Sequence, residues 1–357
     1  FFHELALIPT FIMVGVWGGR DRAYAAMKLT IYLTLGAMLS LAGLIAIYAR
    51  SGANSFDLMA LREHLARFPL DQALQGNLFG LLLVGLGVLV SLFPLHTWAP
   101  LGYGAAPSSN AMLHAGVLKK FGLYGLLRLA IPLLPDGLQA WLTPLLVLLL
   151  GNILWVGLVT ISQKRLDGML GNSSVMHMGY IFLAIAALIA MPSNPLAKPA
   201  AVLLMFAHGI SIALLFGLAD RIERSTGSLD FTDLGGLAKS APSLAFLFGI
   251  GAMASIGLPG LANFAGEVLV FLSTFQNYNG TAGLNPVQIT CILAIWGVVI
   301  SAVYMLRAYR RVFHGPTVKA TESAADLTIA DRIPALLLIL SLLAVGLYPN
   351  LLLNLLK

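Results

Sequence analysis

Charge is scarce in this chain. Only 10% of its 357 residues are charged, 59% are hydrophobic, and the mean hydropathy is +0.88. A soluble domain carries roughly 25% charged residues, so there is too little polar material here to clothe a water-facing surface. Disorder is excluded as well, because the apolar area available for burial is ample. Cysteine occurs once, as Cys291 within an apolar run, which rules out a disulfide framework and a CxxC metal site. The opening Phe1-Phe2-His3-Glu4 has neither Met nor a cationic leader and is not a signal peptide. It reads as the middle of a larger protein, with further spanning helices expected upstream. Also missing are a Walker A loop, a dinucleotide fingerprint, a nucleophile elbow, a haem ligand pair and the HExxH spacing of a zinc site. The chain therefore shows no redox or hydrolytic centre of its own, and no bound cofactor or metal is expected.

What it has instead is long apolar runs. They are continuous rather than alternating, which excludes a transmembrane β-barrel and points to an all-α, polytopic membrane helix bundle. A span needs ~20 mainly apolar residues. About ten candidates follow, at roughly 1–18, 26–49, 77–97, 109–131, 138–162, 168–191, 197–220, 243–275, 287–306 and 333–353. The eighth is too long for one straight helix and contains Gly257-Leu258-Pro259-Gly260, so two half-helices around a break are expected. A short amphipathic helix is expected at Leu58–Phe68, and a helix lying along the interface within 307–332. The 36 Gly and 17 Pro are compatible with spanning helices.

The net charge of +6 is placed for topology and not for nucleic acid, since the basic residues sit between the apolar runs. With ten alternating spans, twelve of the 21 Lys and Arg fall in loops on one side and five on the other. That bias assigns the richer side to the cytoplasm, or to the matrix or stroma of an organelle. Both ends of the chain then face the opposite side.

Ionisable groups inside spans are costly, at about 2.5–3.5 kcal/mol on translocon scales, and normally face the bundle interior or a wet cavity. Among the acidic residues only Glu4 and Glu267 lie within apolar runs; among the basic ones Lys119 and Lys120 lie deepest. Neighbours on a helix point ~100° apart, so Lys119 and Lys120 cannot share one channel. Lys120 shares its face with Gly116 and Tyr124 and is the candidate for the interior, while Lys119 is expected to snorkel or pair elsewhere. His96, His114, His177 and His208 lie in or beside spans, and an imidazole suits a proton relay. For each of them a structural role satisfied by one backbone carbonyl is the competing reading. Pro9, Pro94 and Pro259 would free the carbonyls of Leu5, Val90 and Ser255, and broken helices commonly mark transport sites. Pro259 stands eight residues before Glu267, ~12 Å along a helix, which links an opened backbone to an ionisable carboxylate.

Six segments in order resemble the antiporter-like subunits of respiratory complex I, above all the M-type (chain 4) subunit, and more distantly the large subunits of Mrp cation/proton antiporters. They are Phe2-His3-Glu4-Leu5-Ala6-Leu7-Ile8-Pro9, Pro94-Leu95-His96-Thr97-Trp98, Ala115-Gly116-Val117-Leu118-Lys119-Lys120-Phe121-Gly122, Ser173-Ser174-Val175-Met176-His177-Met178-Gly179, Ala207-His208-Gly209, and Gly257-Leu258-Pro259-Gly260 through Gly266-Glu267. The resemblance covers nearly the whole chain and implies two inverted helical repeats. Residues 1–162 would be the first, truncated at its start, and 163–306 the second; 307–357 would be a cytoplasmic-side link and the last transmembrane helix. It implies that Glu4 modulates a channel lysine, that Lys120 is the central lysine, that Glu267 ends the second half-channel, and that His208 relays between them. His114 and His177 are further relay candidates, and His114 sits in a Leu-His-Ala pattern closer to the L-type and Mrp relatives. The family's other key lysine, on the broken helix, falls at Leu89 and its companion proline at Ser91, which leaves Glu4 without its usual partner. Trp98-Ala99-Pro100-Leu101-Gly102-Tyr103 and Asp167-Gly168 also depart from the family pattern.

The function implied is a proton-translocating membrane subunit of an NADH:quinone oxidoreductase, in a bacterial inner membrane or an organellar or thylakoid membrane. Quinone, flavin and iron–sulfur clusters would reside in partner subunits of the membrane arm and beyond. The alternatives are a subunit of a multi-subunit Na⁺/H⁺ antiporter and a structural arm that has lost transport.

Overall fold

A computed structural model describes the backbone of residues 2–278 and 283–356 and the side chains of 5–278 and 283–355. No strand forms among the described residues; the single β-bridge joins Arg165 to Asp230. The first part of the chain holds α1 (Phe2–Trp17), α2 (Arg22–Ser51), α3 (Leu58–Arg67), α4 (Gln72–Val90) and α5 (Trp98–Ala105). The next crossing is built from α6 (Ser108–Leu113), a π-turn at His114–Leu118, α7 (Lys120–Gly125), a second π-turn at Leu126–Ala130, and α8 (Ile131–Leu133). Next come α9 (Leu142–Leu150), a π-turn at Gly151–Val156, α10 (Gly157–Ser162), α11 (Leu166–Ala190) and α12 (Ala197–Thr226). The remainder is α13 (Pro242–Ile256), α14 (Ala262–Thr274), α15 (Pro286–Phe313), α16 (Lys319–Glu322), α17 (Ile329–Leu347) and α18 (Asn350–Leu353).

Seven described helices are long and apolar enough to cross a membrane by themselves, fewer than the ten or so expected. The shortfall has local causes. The segment 243–275 divides into α13 and α14, each too short alone, because Gly257 takes φ +86° and the backbone from 257 to 261 is not helical. The stretch 109–131 is broken at Lys119, a turn residue between the first π-turn and α7. The amphipathic helix expected at Leu58–Phe68 is α3, which buries Leu61 and Leu65. The interfacial helix expected within 307–332 is reduced to the single turn α16: α15 runs on to Phe313, and Gly315-Pro316 ends any continuation.

The bundle is organised around α11. Every residue from 169 to 187 is buried, so this helix has no lipid face, and α5, α9, α10, α12, α14 and α15 pack on it. Outer helices such as α2, α15 and α17 keep exposed apolar stripes, as a lipid-facing surface requires. One close helix contact lies between α12 and the first π-turn. A methyl group built at Gly209 would stand 2.6 Å from the Gly116 carbonyl oxygen, so two backbones touch where any side chain would part them.

Ion pairs among the described residues sit at the ends of the bundle, and none lies in its middle. At one end Arg165 bridges Asp167 (2.9 Å) and Asp230 (3.1 Å), Arg221 meets Asp331 and Arg224 meets Asp220. Hydrogen bonding to Asp167 raises the Arg165 guanidinium further above its ordinary range. At the same end Asp326 caps α13 from 80 residues away, accepting from the amides of Ser243 and Leu244 at 3.0 Å each. Burial acts to raise this carboxyl, but the hydrogen bonds from Leu327, Ser243 and Leu244 outweigh it and hold the group below its ordinary range.

Two outcomes follow. Gly209→Ala forces α12 away from the π-turn and lowers stability by about 1–3 kcal/mol, read as a fall in the melting temperature of the detergent-solubilised protein. Asp326→Ala costs about 1 kcal/mol through the lost cap. Because the folded carboxyl lies below its unfolded value, the wild type has the full contribution above the ordinary carboxylate range and loses it as pH falls through that range. The variant therefore loses less stability than wild type on acidification, measured by melting curves against pH.

Candidate functional site

Where helices are apolar all round, function is found at the polar groups they enclose. Lys119 and Lys120 leave the end of the first π-turn in different directions, as their 100° offset demands. Lys120 points to α12, where its Nζ lies 3.0 Å from His208 Nδ1 and donates to the Ala115 carbonyl. Lys119 does not snorkel. Its side chain is buried and donates to Ser174 Oγ (3.1 Å) and the Ser174 carbonyl (3.3 Å) on α11, with the ammonium 5.5 Å from the Tyr103 ring centre. The reason is positional: this crossing packs on both α12 and α4, so more than one of its faces is interior, and the Lys119 side chain is long enough to reach α11 from there. The shared face with Gly116 and Tyr124 does not hold either, since Tyr124 is exposed while Gly116 and Lys120 are buried. Gly116 and Lys120 remain on the interior side across the π-turn, and it is Tyr124, a turn further on, that leaves it.

His208 is enclosed, its Nδ1 against Lys120 and its Nε2 without a protein partner among the described residues. Its ring centre is 5.7 Å from that of His177. His177 stands between two carbonyls, Ser173 O at 2.8 Å from Nδ1 and Ser255 O at 3.0 Å from Nε2. A neutral imidazole has one N–H and can serve only one of them; the imidazolium serves both. Ser255 O is the carbonyl that Pro259 frees from the helical ladder, and His177 is what satisfies it inside the membrane.

Glu267 lies just beyond this break, on the first turns of α14, and is buried without an ion pair. It packs against Gly257, where a Cβ would come within 2.6 Å of its Oε2. Gly257 is required there twice over, by its positive φ and by the carboxylate at its α-carbon. The structure thus brings together Lys120, His208 and His177, and sets Glu267 at the break that His177 bonds. His114 is buried with Trp98 and Tyr103, and together with Lys119, Leu89 and Leu7 it lines a cavity of about 10 Å³, room for a single water. The Glu4 side chain lies outside the described residues.

Several groups on this axis were not singled out from sequence. Asn152, in the π-turn before α10, donates to Ser91 O and Val175 O at 3.0 Å and accepts from the Phe93 amide at 2.8 Å. It therefore ties the opened end of α4 to α11. Tyr304 OH meets Ser173 Oγ at 2.7 Å, and Asn263 reaches Ser211 at 3.2 Å. The available signal was weak: single amides in apolar runs, at 152 and 263. Among the described residues no three His, Cys, Asp or Glu side chains converge as a metal site would need.

Residues 1–293 match the family model described as NADH:quinone oxidoreductase/Mrp antiporter, TM. The chain is 35% identical over 351 residues to NAD(P)H-quinone oxidoreductase chain 4 1 of a Picosynechococcus species, covering 98% of this chain and 64% of that protein. To NADH-quinone oxidoreductase subunit M of Rickettsia bellii it is 33% identical, covering 99% of this chain and 68% of that one. The chain thus spans about two thirds of the length of these relatives. A chain in respiratory complex I from Thermus thermophilus superposes with a TM-score of 0.87 at 31% identity, covering 98% of this chain and 70% of its own. A chain of the membrane-bound sulfane sulfur reductase, an archaeal respiratory membrane complex, gives 0.84 at 25% identity, covering 99% and 56%.

Gly257→Ala tests the packing at the break. The added methyl displaces the Glu267 carboxylate and strains the backbone, so the amides of 262–274 should exchange faster with deuterium than in wild type. Unchanged exchange there would mean that Glu267 is not held by this contact.

Proposed function

Because the chain belongs to the NADH:quinone oxidoreductase/Mrp antiporter transmembrane family, we propose that this integral, multi-pass protein translocates protons as a membrane-arm subunit of a complex-I-type quinone oxidoreductase. The observation that carries the reading is the run of enclosed titratable and polar groups Lys120, His208, His177, Ser255 and Glu267 across the middle of the bundle, with no ion pair to lock any of them. Charged groups in such a place are expensive unless they are used.

The proton chemistry follows from the donors present. Lys120 as ammonium gives a proton to His208 Nδ1, and His208 releases one from Nε2; His177 takes it at the ring nitrogen that carries no N–H, once the ring turns that nitrogen from its carbonyl toward His208. His177 as imidazolium holds the proton between Ser173 O and Ser255 O and passes it toward Glu267 at the helix break. The broken helices α4 and α13–α14, one in each of the repeats 1–162 and 163–306, supply the open backbone for both half-paths. Lys119 serves the first half: it lines the same cavity as Leu89, so its ammonium stands beside the position where the family's broken helix carries a lysine. Neighbouring membrane subunits would supply the driving charge changes, and quinone, flavin and iron–sulfur centres would lie in partner chains.

The test is quinone-linked proton uptake by the reconstituted complex in vesicles carrying a pH-sensitive dye. Lys120→Met and Glu267→Gln should each reduce uptake to background with assembly intact, and Lys119→Met should do the same while leaving the Lys120–His208 contact in place. Full uptake in K120M and E267Q would defeat the transport reading and leave a structural arm. Full uptake in K119M alone would remove only Lys119. Dependence of uptake on Na⁺ would indicate the antiporter instead.

A further inference from the structure

The end of α15 carries a cluster that proton transfer does not use. Arg307, Arg310, Arg311 and His314 stand at i, i+3, i+4 and i+7, so they share one side of the helix and its exit. They open into a cavity of about 840 Å³ closed on the far side by Phe231, Leu234 and Val318. Arg307 is fixed at its wall, donating to the Gln163 carbonyl at 3.0 Å and lying 5.8 Å from the Phe231 ring centre. Arg310 and Arg311 are exposed and, among the described residues, have no carboxylate partner. Of the acidic groups on the neighbouring loops, Asp230 pairs with Arg165, Asp326 holds the α13 cap and Arg332, and Asp233 accepts from the Ser228 and Thr232 hydroxyls, while Glu322 on α16 is exposed.

The same side of α15 continues into the bilayer as a purely apolar track. Trp296, Val299, Val303 and Leu306 are exposed at alternating spacings of three and four residues, and the next position in the series is Arg310. From Trp296 to Leu306 is ~15 Å of helix, the depth of one leaflet of a ~30 Å hydrocarbon core. An apolar face against which an alkyl chain can lie thus ends at three guanidiniums set where a headgroup would lie.

We propose that this cavity binds the phosphodiester headgroup of an anionic phospholipid, with one acyl chain along Trp296–Leu306. Arginine suits the role because its fork donates in pairs to phosphate oxygens, and basic pockets at the membrane surface recognise anionic headgroups. The continuous apolar track is what favours a lipid over a free phosphate. The site needs only the membrane setting and does not depend on the transport reading.

The intact complex is reconstituted in phosphatidylcholine vesicles containing a trace of photoreactive phosphatidylglycerol, and the labelled peptides are mapped. Labelling should concentrate on 296–318, be displaced by unlabelled phosphatidylglycerol, and resist inorganic phosphate and phosphatidylcholine. The variant R310Q/R311Q should lose about 30-fold in labelling efficiency, at two basic contacts, whereas R224Q, which removes a cation already paired with Asp220, should leave it unchanged. Equal labelling of wild type by photoreactive phosphatidylcholine would overturn the proposal without any variant. Displacement by inorganic phosphate would make this a free-anion site, and absence of label from 296–318 would mean that a neighbouring subunit covers this face; either result also overturns it.

Discussion

A polar group at mid-bilayer has no water to fall back on, so every carbonyl, amide and ammonium in this bundle must find its partner within the protein, and those that a helix leaves open must find it on a neighbour. That constraint sets the architecture more than hydrophobicity does, because lipid tails are as apolar as the helices they surround. It explains why α11 is buried over most of its length: Lys119, Asn152 and Tyr304 reach it from other elements, and its own His177 reaches across to the Ser255 carbonyl. It also explains why the breaks in α4 and between α13 and α14 persist. Each exposes carbonyls, and each is closed by a side chain from elsewhere, Asn152 in one case and His177 in the other.

How much of this was legible in the sequence divides along the same line. Apolar runs and prolines speak about one helix at a time, so the spans, the break at Gly257–Pro259 and the interior position of Lys120, His208 and Glu267 could be read from residue order. Which face of a helix meets which neighbour could not, because helices with no polar side give no moment to orient them. Lys119 shows the limit: the 100° offset left it either to snorkel or to pair elsewhere, and residue order does not choose between them, whereas in the structure it is interior and paired with Ser174. The π-turn at His114–Leu118 was invisible for a related reason. It is stabilised by what packs around it, and the residues His-Ala-Gly-Val-Leu would be at home in an ordinary helix.

The departures from the family pattern become coherent in three dimensions. A leucine at 89 removes a cation from the broken helix, yet Lys119 lines the same cavity from the adjacent crossing. Tyr103, at the end of the stretch that departs from the family pattern, presents its ring to the Lys119 ammonium. Loss at one position and gain at another act on one small volume, which a residue-by-residue reading of the chain counts as two separate anomalies.

The touching backbones at Gly116 and Gly209 have a mechanical meaning. Lys120 follows one of these glycines by a turn, and His208 is next to the other, so the contact works as a fulcrum set beside the donor–acceptor pair. Tilting about it can swing the far ends of both helices through large arcs while the Nζ-to-Nδ1 gap hardly alters. Conformational work done elsewhere in an assembly could therefore pass through this point without opening the gap between Lys120 and His208.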